Sequence, residues 1–205
     1  YKLYELVGNK KSIYDLLTKM LEILGEKKRI KDFEKYYEMN KQIVFDIDNP
    51  KYLTDLLSTK EYLQIQLGNF EEVINIGMEK LNIAKENKFM YTTEAWGQSM
   101  KDESQFLGEI GWYYLVKGEV DSAVSFLDEA VSGRGLKNDS LWWNNELLFS
   151  LFFQKQYPKC IEFSNRILSL LDKKKWDDDV ILGQKLFPIV VAIASKKQLN
   201  IEIEE

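Results

Sequence analysis

The sequence predicts an all-α fold built from antiparallel helix hairpins. Three observations carry that expectation. Apolar residues recur at three- and four-residue spacing along almost the whole chain, and no stretch alternates convincingly as a strand would. Only three prolines and eleven glycines interrupt its 205 residues, which leaves room for long helices. One stretch, Leu107 to Ala130, reads as two short helices joined at Lys117-Gly118-Glu119, with small residues where antiparallel helices have to touch. Gly111 lies in the first helix. Ala123 and Ala130 lie in the second. Leu107, Ile110, Tyr114, Val124 and Leu127 fill the gaps between them.

Turn signals divide the rest in order. Gly8-Asn9 precedes a helix carrying Ile13, Leu16, Leu17, Met20, Leu21 and Leu24, ended by Gly25. A second helix, with Ile30, Phe33, Tyr36, Tyr37 and Ile43, stops at Asp48-Asn49-Pro50, because proline disfavours helix in the residue before it. Lys51 to Leu67 and Phe70 to Lys85 flank a Gly68-Asn69 turn. Residues 86–97 read as a long polar connection. Leu141 to Gln154 pairs with Pro158 to Leu171, and Pro158 suits a first helical turn, where its missing donor is not needed. After Lys173-Lys174-Lys175, Asp177 or Asp178 caps a last helix that reaches about Ala194 and contains Pro188. Ile201 to Glu204 is the one short strand candidate. The count comes to roughly eight to ten helices, given ordinary helix lengths.

The hairpins resemble one another. Gly68, Gly118 and Lys155 take the same turn place. Tyr62, Trp112 and Phe149 fall six residues before it. Val73, Ala123 and Cys160 fall five residues after it. For residues 1–50 the turn is either Gly8 or Gly25.

The segment from Leu107 resembles a tetratricopeptide repeat (TPR), whose pattern is W-x2-L-G-x2-Y followed by G, A-x3-F and A. Ile110-Gly111 stands for the Leu-Gly pair and Tyr114 for the Tyr. Ala123, Leu127 and Ala130 stand for the Ala, Phe and Ala. Leu107 replaces the Trp, and Gly135 falls where a Pro is common. The resemblance implies a right-handed α-solenoid over residues 1–205 as a single TPR-like domain, best matched at 51–85, 105–135 and 141–171. More distantly, the long hairpins and the Lys/Asn/Ile-rich composition resemble the repeat domains of peptide-pheromone regulators from Gram-positive bacteria. There the repeats bind a signalling peptide and dimerise behind an N-terminal helix-turn-helix. The chain opens on Tyr1 rather than Met, which reads as a fragment.

The chemistry argues for binding rather than catalysis. The chain has no histidine, which removes the Ser-His and Cys-His dyads and the commonest metal ligand. Cys160 is its only cysteine, so no internal disulfide or zinc set is available, and a reducing cytoplasmic location is expected. No Gly-rich phosphate loop is present. Asp46 to Pro50 opens like a calcium loop but lacks the required glycine, and reads as a helix stop. No enzyme activity, cofactor or metal is expected. The net charge of −5 is a poor footprint for nucleic acid, and no apolar run is long enough to span a membrane.

The resemblance implies a concave groove lined by the first helix of each hairpin. In this register the peptide- or partner-binding residues are Tyr62, Gln66, Glu109, Trp112, Trp142, Asn145, Glu146 and Phe149, with Asp55, Thr59, Gln105 and Phe153 beside them. Rings supply apolar pockets and amides pair with a peptide backbone. A chaperone-tail clamp would need several cations, yet the matching positions are Asp55, Ser58, Gly108, Glu109, Asn145 and Glu146. The expected partner is therefore a neutral or basic protein or peptide segment, with a homodimer or a structural oligomer as further readings.

Overall fold

Each hairpin is set by a turn that the backbone can make only with one residue in the left-handed region. A computed structural model describes residues 9–87, 91–93, 98–101, 103–132, 138–172 and 178–201. Among these residues there are nine helices: α1 (Lys10–Glu26), α2 (Ile30–Ile47), α3 (Pro50–Leu67), α4 (Phe70–Asn87), α5 (Glu103–Lys117), α6 (Val120–Val131), α7 (Asn138–Phe153), α8 (Tyr157–Asp172) and α9 (Asp178–Gln198).

Four of the interhelix turns follow one plan. Lys28, Gly68, Gly118 and Lys155 all have positive φ, between 50° and 87°. The backbone N–H of each donates to the carbonyl three residues back, and the next N–H donates to the carbonyl five back. This is the Schellman closure, which satisfies helix-end carbonyls that would otherwise lack partners. Glycine adopts that φ freely; lysine does so at a cost. The next helix begins two residues later in all four cases. In residues 1–50 the turn therefore falls at Lys28, and Gly25 belongs to the last turn of α1, facing the Phe33 ring. The α2–α3 junction works differently. Asp48 takes the left-handed conformation, Asn49 Oδ1 accepts from Lys51 N at 3.0 Å, and Pro50 sits in the first turn of α3.

The described residues fall into two compact units, Tyr1–Asp102 and Glu103–Glu205. In the first unit α1 packs on α2, α3 on α4, and α3 also against α1 and α2. Its core gathers Tyr14, Leu21, Phe33, Tyr37, Val44, Leu56 and Leu63. Between α3 and α4 one polar pair is buried: Lys80 Nζ lies 2.6 Å from Glu61 Oε2, with the Lys80 side chain fully enclosed. The connection after α4 carries a short antiparallel pair, β1 (Tyr91–Thr93) with β2 (Gln98–Lys101), where the sequence pattern suggested only irregular chain. Tyr and Thr favour extended backbone, but three residues are too few to show an alternation. Ile201 is not in a strand, and residues 202–205 lie outside the described residues.

In the second unit α5 packs on α6, α6 on α7, α7 on α8 and α8 on α9. Alternate helices also touch, α5 with α7 and α7 with α9, so successive hairpins stack through their first helices. A hairpin alone cannot bury its apolar stripe, and this stacking supplies the missing cover. The core includes Ala123, Leu127, Trp143, Leu148, Cys160, Ile167 and Leu171. Gly111 permits the close approach of α5 to α6: a β-carbon there would lie 2.7 Å from Leu127 Cγ. Val73, Ala123 and Cys160, each five residues past its turn, are all fully buried. Tyr113 is the buried tyrosine of α5, while Tyr114 is half-buried and stacks on Phe126 at 5.4 Å.

Candidate functional site

The anchor of the second unit is Trp143. Its indole is buried and lies over Gly108, where a β-carbon would come within 2.4 Å of the ring. Gly108 thus lies beneath the core of α5–α7 packing and not on an open groove, which corrects its placement among the groove positions. Trp143 Nε1 donates to Gln105 Oε1 at 3.3 Å, and Gln105 Nε2 donates to Glu109 Oε1 at 3.3 Å. The first of these bonds ties α7 to α5, and the second holds the Gln105 amide in place along α5. With Trp143 turned inward, the residues two, three and six places later project to the side shared with α9.

There the chain forms an open cleft of about 330 Å³, lined among the described residues by Asn145, Glu146, Phe149 and Phe187. The first three come from α7 and the last from α9. Phe149 is 40% exposed and meets Phe187 at 6.4 Å between ring centroids. Phe153 extends the aromatic surface, edge-on to Phe149 at 4.5 Å. Asn145 Oδ1 is buried and accepts no hydrogen bond from the described residues. Burial pushes the Glu146 carboxyl above its usual range, because desolvation disfavours the charged form.

Three of the sequence-derived site residues, Asn145, Glu146 and Phe149, are thus brought together. Glu109 and Trp112 stand on α5. Glu109 is half-buried beside Gln105, and Trp112 packs partly against the core with its ring 5.4 Å from Tyr113. Tyr62 and Gln66 are exposed on α3 of the first unit. The Trp142 side chain lies outside the described residues. Phe187 was not legible as a site residue. It belongs to the last helix, which has no hairpin partner in the repeat pattern to give its register.

Among the described residues no group of three or more His, Cys, Asp or Glu could hold a metal ion, and no helix is long and apolar enough to cross a membrane. Cys160 is buried, and burial pushes its thiol up.

No protein-family model matches the chain. No curated protein matches it either. Solved structures do. A signal-transduction ATPase with numerous domains from Pyrococcus horikoshii, which carries a tetratricopeptide repeat sensor, matches with a TM-score of 0.64 at 17% identity, over 90% of this chain and 27% of that one. BtubC from P. vanneervenii matches at 0.62 and 10% identity, over 97% of this chain and 87% of that one. The nearly identical TPR-like repeats of a kinesin-light-chain-like protein from Podosopora anserina match at 0.59 and 12% identity, over 91% and 86% of the two chains. The chain therefore spans about a quarter of the ATPase and most of the other two. At these identities the likeness speaks to the fold alone. The chain has the all-α, TPR-like helical-repeat fold that these neighbours share.

Proposed function

We propose that this chain is a protein-interaction module that takes up a neutral or basic peptide or protein segment, with the α7–α9 cleft as its contact point. The observation that carries this reading is the convergence of Asn145, Glu146, Phe149 and Phe187 on one open cleft. Two rings offer apolar contact area, and an amide and a carboxylate offer polar recognition beside them. The reading involves no catalysis. Asn145→Ala is expected to weaken partner binding while helix content by circular dichroism stays unchanged, with Trp112→Ala as a companion test of the α5 side. Binding that is indifferent to both substitutions would place the contact surface elsewhere.

A second reading, self-association, is favoured by α9. Leu186, Ile189, Val190 and Ile193 are all exposed and share one face at three- and four-residue spacing. The helix opens with Asp178-Asp179 and ends near Lys196-Lys197, five turns later. An antiparallel second copy would set acidic ends against basic ends around that apolar face. Sedimentation of the wild-type chain and of Val190→Lys decides it: a mass that rises with concentration in the first and not in the second supports a dimer, and a constant monomer mass in both overturns it.

A further inference from the structure

We infer that the α7–α9 cleft is an anchor site for one cationic side chain of the partner, an arginine in preference to a lysine. The inference deepens the interaction reading and rests on it. Among the described residues the cleft presents two acceptors, the Asn145 amide oxygen and the Glu146 carboxylate. Asn145 Oδ1 is buried without a hydrogen-bond donor among the described residues. Glu146 lines the same wall, half-buried, and no cation pairs with it among the described residues. A buried acceptor without a donor is costly, and a desolvated carboxylate without a cation more so. The occupant that relieves both has to bring donors and positive charge.

The walls narrow the chemistry further. Phe149 and Phe187 both line the cleft, their ring centroids 6.4 Å apart and their planes inclined by 43°. An aromatic face attracts a cation, and the planar guanidinium also stacks on it. Arginine can meet a carboxylate with two parallel N–H donors and still has donors left for an amide oxygen. The ammonium of lysine is a compact, strongly hydrated charge and does neither as well. At about 330 Å³ the cleft has room for a single side chain. An acidic anchor would meet the Glu146 charge. An aliphatic anchor would leave both acceptors dry and unpaired.

The test uses the whole chain and a randomised library of short displayed peptides. Selected binders are resynthesised with each arginine replaced by citrulline, which keeps the shape and removes the charge, and by lysine. The expected result is one arginine whose citrulline form binds about tenfold or more weakly. Lysine should fall between the two. On Glu146→Gln the arginine and citrulline forms should bind nearly alike, with helix content unchanged as the control for folding. Binders that depend on Asn145 or Phe187 yet tolerate citrulline at every position overturn the cationic anchor and leave the interaction module standing. Binders indifferent to Asn145→Ala, Glu146→Gln and Phe187→Leu alike remove the cleft as a contact point, and the anchor with it.

Discussion

At the scale of single residues, the molecule is governed by where a side chain has no room. Gly111 faces the Leu127 side chain closely enough that even a β-carbon clashes. Gly111→Leu is expected to lose about 1–3 kcal/mol by overpacking, read as a lower urea midpoint at unchanged slope. A neutral result would mean that α5 and α6 do not meet at this point. The turn at Lys155 offers the opposite case. Its φ of 58° is one that glycine takes freely at Gly68 and Gly118. Lys155→Gly should therefore stabilise the chain by up to about 1 kcal/mol, since the left-handed conformation costs a side chain about that much. Glu146 adds a pH dependence. Its carboxyl is raised in the folded protein, so the folded state holds the proton more tightly than the unfolded chain. Its unfavourable contribution is absent below the ordinary carboxylate pKa and grows as pH rises through the raised value. Glu146→Gln should flatten the stability profile in that window, and an unchanged profile would mean the carboxylate is well solvated.

At the scale of elements, the Lys80–Glu61 pair between α3 and α4 sets what the helix contact tolerates. Both side chains are buried and 2.6 Å apart. Removing one partner of such a pair strands the other, whereas replacing both with apolar groups is often neutral. Lys80→Met alone should cost about 3–5 kcal/mol, and Lys80→Met with Glu61→Leu should recover most of it. A double variant as unstable as the single would show that packing, not charge, was lost. This pair was not legible in the sequence. Lys80 and Glu61 look like ordinary helix-surface charges there, and only the packing of α3 against α4 shows them enclosed. The turns were legible, because Gly68 and Gly118 mark the left-handed position by residue type. Lys155 was found by matching its neighbours to them. Lys28 was not, since neither a glycine nor a repeat match pointed to it and Gly25 competed for the role.

For the whole molecule, the helical-repeat fold was readable from one segment, because Gly111, Ala123 and Ala130 report helix contacts directly. The candidate cleft was readable only in part. Asn145, Glu146 and Phe149 follow from the hairpin register of α7. Phe187 required knowing that α9 packs beside α7, which no spacing in the chain encodes. Occupancy of the cleft should appear as a global effect. A ligand that binds only the folded state at a hundred times its Kd adds about 2.7 kcal/mol of stability, visible as a rise in Tm. A Tm that instead climbs with the concentration of the chain itself would point to the α9 face.

The seating of Trp143 on Gly108 has a consequence for how such a sequence can drift. Any side chain at 108 displaces the indole, and a smaller ring at 143 leaves a void above the glycine. Neither change is readily accepted alone. In descendants of this chain the two positions should be exchanged together or not at all, and the cleft that Trp143 orients should persist or vanish with them.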